Sequence, residues 1–247
     1  MNGNENTAGT ICLVTGAARG IGLEVARQLA ARGMTVLLTA RDAAKAEEAA
    51  RGLSGDGGTA QAYALDVADR ESVARLAGAI ERDHGRLDVL VNNAAAFVDW
   101  SEVASSADLD AAHAVLETNL FGAWRVIQGL LPLLRSGINP RIVNVSSGGG
   151  SHGDEQFGLT TNGGTSAGYG ISKAALNALT SKFAAELAPA GILVNSVCPG
   201  LTATAPGMEA MGARPVADGA ASVVWAATLP PDGPTGGFFR DGQPVPW

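Results

Sequence analysis

The sequence predicts a single doubly wound α/β domain, in which a central, mostly parallel seven-stranded sheet carries helices on both faces. Three observations predict it. Short apolar runs alternate with helical patterns along the 247-residue chain. The apolar runs are continuous, as in strands that are buried on both faces. No linker or repeat interrupts the alternation, so we expect one domain over 9–247 behind a flexible N-terminal lead, 1–8.

Composition and charge exclude several classes of protein. The formal net charge of −7 and the pI of about 4.9 do not suit a nucleic-acid-binding surface. No apolar stretch reaches the ~18 residues of a membrane span, and the polar first residues lack the features of a secretion signal. Cys12 and Cys198 lie in apolar runs without metal-ligand spacing, which predicts small buried hydrophobic side chains in a reducing compartment. We therefore expect a cytoplasmic protein with no membrane, nucleic-acid or metal partner.

The first predicted strand, 11–15, runs directly into a glycine-rich turn, 16–22, and a helical pattern follows. A strand, a glycine turn and a helix N-terminus together direct backbone N–H groups at an anion. Glycine allows the tight turn and the close approach of a pyrophosphate. The spacing GxxxGxG therefore indicates a dinucleotide phosphate site, and a tight turn without a ligand is the alternative.

The second predicted strand, 35–40, is followed by Arg41 and Asp42. In a βαβ dinucleotide site, the end of this strand faces the adenosine ribose. An acidic residue there binds the 2′-hydroxyl of NAD, whereas an arginine accommodates the 2′-phosphate of NADP. Arg41, with Arg19 as a second phosphate ligand, favours NADP(H). Asp42 is the residue that favours NAD, and two surface arginines without a ligand are the further alternative.

Later elements follow the same rhythm. The third predicted strand, 62–67, contains Asp66, which either accepts from an adenine amino group or caps a turn. A fourth strand, 87–91, leads into 92–96, and a fifth, 141–147, ends at Ser146 and Ser147. A sixth strand, 192–198, and a last one, 236–239, complete the sheet. Helices are predicted over 43–52, over 108–134 with a kink or end near Pro132, and around 219–227.

Tyr169 and Lys173 lie four residues apart at the start of a helical segment, so both side chains are expected on one face. A lysine ammonium beside a phenol favours the phenolate and lowers the tyrosine pKa. A tyrosine tuned in this way transfers a proton near neutral pH. The pair alone is weak evidence, because a packed tyrosine and a solvated lysine have the same spacing. The motifs before it strengthen the catalytic interpretation.

Several motifs together carry a family resemblance. They are Thr15-Gly16-x-x-x-Gly20-Ile21-Gly22, Asn92-Asn93-Ala94, Asn119, Ser147, Tyr169-x-x-x-Lys173 and Pro199-Gly200. In their order and approximate spacing the chain resembles the short-chain dehydrogenase/reductase family over nearly its whole length. Segments 39–42 and 143–147 look most like the NADPH-dependent carbonyl reductases. The resemblance implies a Rossmann-like fold and an oxidoreductase that transfers a hydride between NADP(H) and a carbonyl.

The resemblance also implies roles for four residues. Ser147 would donate to the substrate carbonyl oxygen, and Tyr169 would supply the proton. Lys173 would hold the nicotinamide ribose and lower the Tyr169 pKa, and Asn119 would hold a water that links Lys173 to solvent. The implied cofactor contacts are Gly16, Ala18, Arg19, Gly20, Ile21, Arg41, Asp66, Val67, Asn93, Ala94, Tyr169, Lys173, Pro199, Gly200, Thr202 and Thr204.

The chain departs from the family pattern at two places. Ala95 replaces the glycine that usually follows Asn-Asn-Ala. Ser147 and Tyr169 are 22 residues apart, which is farther than the commonest family spacing and indicates an insertion within 151–164. This spacing leaves open whether Ser146 or Ser147 is the catalytic hydroxyl. Strand side chains alternate between faces, so only one of them points at the site, and the order of residues after the strand favours Ser147.

The substrate pocket is expected along 97–100, 148–168 and 201–213. A loop as long as 148–168 in a compact domain is usually functional. Few charges in these stretches predict a neutral, mostly apolar ketone, aldehyde or diketone. The predicted apolar lining consists of Phe97, Trp100, Phe157, Met208 and Met211.

Three functions stay open on the sequence alone. They are an NADPH-dependent carbonyl reductase, an NAD-dependent alcohol or steroid dehydrogenase, and a non-catalytic NADP(H)-sensing regulator. The resemblance implies a dimer or tetramer through helices near 108–134 and 167–188, or a monomer if the insertion covers that surface. Trp247 closes the tail 242–247 and is expected to meet a partner or to fold back over the pocket.

Overall fold

The structure, a computed structural model, describes residues 9–247, so the predicted lead 1–8 lies outside the described residues. Strands and helices alternate along the chain, as the apolar runs predicted. The elements are β1 Ile11–Val14, α1 Gly20–Ala30, β2 Thr35–Ala40, α2 Ala43–Gly55, β3 Thr59–Ala64, α3 Arg70–His84, β4 Val89–Asn92, α4 Leu109–Leu116, a π-helical turn Glu117–Gly122, α5 Ala123–Arg135, β5 Arg141–Val145, α6 Ala167–Leu187, β6 Leu193–Val197, α7 Val216–Ala227, β7 Phe238–Arg240 and β8 Gln243–Pro244.

The strands form one sheet in the order β3-β2-β1-β4-β5-β6-β7-β8. Every neighbouring pair from β3 to β7 is parallel, and β8 pairs antiparallel with β7. The doubly wound α/β prediction is confirmed. Within 9–247 the sheet has eight strands where seven were predicted, because β8 is an exposed two-residue strand, Gln243–Pro244, without an apolar run.

Side-chain alternation along the strands divides the core between the two faces of the sheet. Leu13 and Leu90 point into one core with α3, α5 and α6, whereas Val14 and Val91 point into the other with α1, α2 and α7. Both faces of the central strands are therefore dry, as expected of a parallel sheet covered on both sides.

Several element boundaries differ from the predicted ones. β3 ends at Ala64, so Asp66 lies in the loop that follows. The predicted helix 108–134 is α4, the π-helical turn and α5 in succession, and it ends at Arg135, in the turn that follows Pro132. Within 9–247, no helix combines the length and the apolar character that crossing a membrane requires.

Candidate active site

The predicted site residues lie at one edge of the sheet. Most of them follow the carboxyl ends of β1 to β6, which meet at the same edge because these strands are parallel. β1 lies between β2 and β4, so the chain reverses its winding direction there. A crevice outside the strand ends at such a switch point is where doubly wound sheets bind ligands.

The glycine turn after β1 is held by the segment after β4. The Thr15 hydroxyl accepts hydrogen bonds from the backbone N–H groups of Asn93 and Ala94, at 2.9 and 3.0 Å. Asn93 Nδ2 donates in return to the carbonyl oxygens of Thr15 and Gly16, at 2.9 and 3.1 Å. Gly16 has φ +64°, and a Cβ there would lie 2.9 Å from Ala94 Cα. The turn therefore requires glycine at this position.

The donor set at this turn fits a dinucleotide pyrophosphate. α1 begins at Gly20 without a side-chain cap, whereas Asp42, Asp69 and Asp108 cap α2, α3 and α4. The first N–H groups of α1 are thus left for an anion, which the helix dipole also favours. Thr204 lies beside this turn, since a Cβ on Gly20 would be 3.7 Å from its methyl group.

Two arginines lie at the start of α1 and after the end of β2. Arg19 and Arg41 are both exposed, and neither forms an ion pair or side-chain hydrogen bond with another residue in the described part of the chain. Asp42 does not mask Arg41. Its carboxylate accepts instead from the N–H groups of Ala44 and Lys45, at 3.0 and 3.4 Å, as the N-cap of α2.

The segments after β3 and β6 are shaped by their own backbone contacts. Asp66 Oδ1 accepts from the Ala68 N–H at 3.0 Å and so forms a turn. The Val67 carbonyl accepts from Arg125 at 2.7 Å. Thr202 is buried, and its hydroxyl is within 3.2 Å of the Pro199 carbonyl and 3.1 Å of the Gly200 carbonyl. The Thr202 side chain therefore supports the Pro199–Gly200 turn and is not exposed to the crevice.

Ser147, and not Ser146, reaches Tyr169. The Ser147 hydroxyl lies beside the Tyr169 phenol and favours its ionised form, and the Gly149 N–H donates to Ser147 Oγ at 3.1 Å. Ser146 is buried, and its hydroxyl turns away toward the Lys173 carbonyl at 3.5 Å. The two hydroxyls therefore face opposite ways, as alternating side chains do.

Lys173 and Tyr169 share one face of α6, as their spacing predicted. Lys173 Nζ lies 5.6 Å from the centre of the Tyr169 ring and donates to the Val145 carbonyl at 2.8 Å. Burial lowers the pKa of Lys173 from 10.5 to about 8. The side chain is thus a cation that titrates close to neutral pH.

The expectation that Lys173 lowers the Tyr169 pKa is wrong for this structure. Burial raises the pKa of Tyr169 above its ordinary value, and the Ser147 hydroxyl opposes that rise only in part. The ammonium is directed at the Val145 carbonyl, so its attraction for the phenolate does not outweigh the desolvation of the phenol. Tyr169 is therefore held in its protonated form, which is the form that a proton donor needs.

Asn119 lies in the π-helical turn and is buried. Its Oδ1 accepts from the Ala96 N–H at 2.7 Å, and its Nδ2 donates to the Ala96 carbonyl and to Ser172 Oγ, both at 3.0 Å. π-Helical turns within α-helices are frequent at functional sites. Asn119 thus joins the segment after β4 to α6 at the residue before Lys173. Its role in holding a water stays a prediction.

Two of the predicted pocket side chains lie on Tyr169. The Phe97 ring stacks on the Tyr169 ring with centroids 5.0 Å apart and planes inclined by 19°, and Trp100 meets the same ring edge-on at 5.7 Å. Both are exposed, at 57% and 60%. Met208 contacts Thr204 through its sulfur at 3.8 Å, and Met211 is exposed. Aromatic rings therefore cover Tyr169, and Met208 lies next to Thr204.

Two contacts near Tyr169 were not predicted from the sequence. Glu102 Oε2 accepts from the Gly168 N–H at 3.0 Å, which caps the start of α6 from a distant segment. Cys198 is buried as predicted, yet its sulfur accepts hydrogen bonds from Arg240. Ala95 shows no positive φ, so alanine fits where the family has glycine. No local sequence pattern marks the two contacts, because their partners lie far apart in the chain.

The tail folds back onto the predicted insertion, residues 151–164. Trp247 stacks on Phe238 with centroids 5.7 Å apart, and its carbonyl accepts from the N–H groups of His152 and Gly153 at 3.0 and 3.2 Å. Ser151 Oγ donates to the Pro246 carbonyl at 2.6 Å. Of the two expectations for the tail, the structure shows the folded-back one, with the insertion loop as the surface that it covers.

Comparison with known proteins agrees with this geometry. The family model described as short chain dehydrogenase matches residues 10–213. The chain belongs to the short-chain dehydrogenase/reductase family. It is 34% identical to Short-chain dehydrogenase/reductase 1 of Saponaria officinalis, with 95% of each chain covered. It is 32% identical to the NADPH carbonyl reductase 1 of Sus scrofa, with 96% of this chain and 94% of that one covered.

A solved structure supports the same assignment. The Pseudomonas aeruginosa RhlG/NADP active-site complex aligns with a TM-score of 0.80 at 32% identity, covering 98% of each chain. As a short-chain dehydrogenase/reductase, the protein is an oxidoreductase that acts on a small molecule with a nicotinamide cofactor.

Proposed function

We propose that this short-chain dehydrogenase/reductase is an NADP(H)-dependent carbonyl reductase for small, neutral, mostly apolar ketones and aldehydes. The observation that carries the proposal is the juxtaposition of the Ser147 hydroxyl and a protonated Tyr169, with the Lys173 ammonium 5.6 Å from the Tyr169 ring. Two hydroxyl groups that converge beside a buried cation can bind a carbonyl oxygen and give it a proton.

Each residue has a distinct task in the proposed reduction. When bound, the reduced nicotinamide supplies the hydride. Ser147 and Tyr169 hold the carbonyl oxygen, where negative charge develops, and Tyr169 passes its proton to that oxygen. Lys173 then stabilises the phenolate that remains. Asn119 holds the segment after β4 against α6 and so fixes the position of the proton donor, Tyr169, relative to the crevice.

The preference for NADP(H) is proposed from the charges at the end of β2. Arg19 and Arg41 are exposed and available to a 2′-phosphate, and Asp42 is engaged as the N-cap of α2. The relatives whose names include NADPH or NADP support the same cofactor. An NAD-dependent alcohol or steroid dehydrogenase is the second candidate, and it would require the Asp42 carboxylate, whose Oδ1 caps α2, to bind the ribose as well.

The substrate class is proposed from the crevice mouth. Phe97 and Trp100 offer exposed aromatic surface next to Tyr169. Aromatic surface of this kind binds apolar and flat groups and gives a phosphate or carboxylate no partner. We therefore propose ketones, aldehydes and diketones whose carbonyl is attached to an apolar or aromatic group.

The proposal includes self-association as a dimer or tetramer through α4, α5 and α6. The insertion packs on the tail and leaves Phe121, Trp124 and Ile171 exposed on these helices and the turn between them, at 44%, 39% and 52%. Light scattering of the purified chain tests this, with Trp124→Glu as the disrupting variant. A monomeric mass for the unmodified protein would refute self-association.

The function is tested by following NADPH and NADH oxidation with a panel of neutral ketones and diketones. We expect turnover with NADPH, and we expect Tyr169→Phe to lose it by about 10³-fold or more while still binding NADPH. Tyr63→Phe is the matched control, since its phenol contacts Asp83 on the surface at 2.9 Å. Tight NADPH binding without turnover in the unmodified protein would favour the sensing regulator, and a preference for NADH would favour the second candidate.

A further inference from the structure

A group of polar contacts lies behind the Ser147 end of β5 and takes no direct part in the proposed chemistry. Arg240 Nη2 donates to Asp154 Oδ2 at 2.5 Å, and Nε and Nη2 also donate to Cys198 Sγ at 3.4 and 3.3 Å. Asp154 is 8% exposed and Cys198 is 3% exposed. The three residues come from the insertion, from the position after β6 and from β7. We name the three side chains the rear clamp.

The rear clamp holds the backbone directly after Ser147. Cys198 Sγ accepts from the Gly148 N–H at 3.2 Å and from the Gly200 N–H at 3.4 Å. Gly148 also lies flat against the ion pair. A Cβ built there would collide with the Asp154 carboxylate and lie 2.6 Å from Arg240 Nη2. The position of the Ser147 strand end thus depends on the ion pair behind it.

Asp154 shapes the insertion with the same carboxylate. Its Oδ1 accepts from the N–H groups of Gln156 and Phe157, at 3.0 and 2.9 Å. Burial opposes ionisation of Asp154, but the Phe157 N–H and the Arg240 guanidinium outweigh burial and keep the pKa of this carboxyl below its ordinary value. One charged group therefore sets both the turn of the loop and its distance from β7.

The turn that Asp154 shapes borders the reacting groups. A Cβ built on Gly149 would lie 3.4 Å from Ser147 Oγ, 3.7 Å from the Phe157 carbonyl oxygen and 4.0 Å from Tyr169 Cε1. The Phe157 backbone is thus one methyl group away from the space between Ser147 and Tyr169. A shift of the loop would widen or narrow that space directly.

We propose that Asp154 and Arg240 are positioning residues that hold the insertion against Ser147 and Tyr169 and so set the width of the substrate pocket. The proposal rests on the proposed carbonyl reduction. Neither residue touches the reacting atoms, and both act through Gly148 and Phe157. Loss of the ion pair is expected to change the KM of a large ketone more than that of a small one and to leave cofactor binding unchanged.

Asp154→Asn tests the proposal with Asp241→Asn as the matched control. The first removes the charge facing Arg240 and keeps an oxygen for the turn. The second removes the adjacent exposed carboxylate, which pairs with Arg214 at 2.7 Å. With NADPH, we expect Asp154→Asn to raise the KM for 1-tetralone about tenfold and that for cyclohexanone less than threefold, because a displaced wall acts on the larger ketone. Asp241→Asn is expected to leave both values unchanged.

A second readout does not depend on turnover. We expect backbone amide exchange over 151–158 to quicken about tenfold in Asp154→Asn and to stay unchanged in Asp241→Asn. Arg240→Lys keeps a cation for Asp154 but loses the paired donors to Cys198. Its amide exchange rate over 151–158 is expected to lie between those of Asp154→Asn and the unmodified protein.

Two results would overturn the proposal. One is that Asp154→Asn changes neither the amide exchange over 151–158 nor the ratio of the KM values for 1-tetralone and cyclohexanone. The other is the same loosening in Asp241→Asn, since that would show a general loss of stability. If the unmodified protein reduces no ketone, the carbonyl reductase assignment fails, and amide exchange still decides whether the rear clamp orders the insertion.

Discussion

Glu102 accepts a hydrogen bond from the Gly168 N–H at 3.0 Å, although the two residues are 66 positions apart. Ser166, just before α6, has φ +56° and gives the helix no side-chain cap, so Glu102 supplies the cap from the segment that carries Phe97 and Trp100. Tyr169 follows Gly168 directly. The Glu102 carboxylate therefore helps to fix the aromatic mouth of the crevice to the proton donor.

Glu102→Ala is expected to remove this cap. Loss of a cap costs about 1 kcal/mol, which lowers Tm by roughly 2–4 °C in a chain of this size. We also expect kcat to fall about tenfold, because the first turn of α6 positions Tyr169. Glu102→Gln keeps an acceptor oxygen and is the control. Calorimetry measures Tm and steady-state kinetics measures kcat. Equal kcat values for Glu102→Ala and the unmodified protein would contradict the positioning of Tyr169 by this cap.

Arg41→Ala is expected to raise the KM for NADPH and to leave that for NADH unchanged. A charge-assisted hydrogen bond contributes about 1.5–3 kcal/mol, so the rise is roughly 10- to 150-fold. Arg51→Ala, another exposed arginine on the neighbouring helix α2, is the matched control. Steady-state kinetics with both cofactors provides the measurement. A parallel rise for NADH would show that Arg41 does not read the 2′-phosphate.

The rate of carbonyl reduction is expected to fall as pH rises through about 8. Burial lowers the Lys173 pKa to about 8, so the cation that stabilises the Tyr169 phenolate is present below that pH and lost above it. Alcohol oxidation should change in the opposite direction, because it needs Tyr169 as a base. Profiles of kcat/KM from pH 6 to pH 10 test this. A reduction rate that stays flat across pH 8 would remove Lys173 from the proton chemistry.

Gly149→Ala is expected to narrow the pocket without unfolding the chain. The added methyl group would meet its nearest neighbours, among them Ser147 Oγ, at 3.4 Å or more, which is ordinary van der Waals contact. We expect kcat/KM for 1-tetralone to fall about tenfold and that for acetone to change little. Gly52→Ala, where a Cβ on helix α2 meets nothing within 4 Å, is the control. Similar losses for both ketones would place Gly149 outside the pocket.

The sequence predicted those parts of the fold and site that local pattern determines. Apolar periodicity located the strands, and the spacing of Tyr169 and Lys173 placed both on one face of α6, because each depends on residues close in the chain. Contacts between distant segments left no such pattern. Glu102 meets Gly168, and Asp154 meets Arg240, 86 positions away.

Burial also limited what the sequence could predict about charge. The Tyr169 pKa was expected to fall beside Lys173, and it rises because the phenol is desolvated and the ammonium is directed at the Val145 carbonyl. Cys198 was expected to be only a small hydrophobic side chain, and its sulfur accepts from Arg240 and from two backbone N–H groups. Both differences depend on tertiary placement, which no local motif encodes.

The position of β1 between β2 and β4 also bears on how the chain folds during synthesis. β1 to β3 are neighbours along the chain, yet the turn at Gly16 is held by Asn93, which follows β4. During synthesis, the segments of β1 to β3 therefore leave the ribosome before Asn93 can hold the Gly16 turn, and Tyr169 emerges later still. We therefore expect incomplete chains on the ribosome to bind the dinucleotide weakly and only completed chains to bind it tightly.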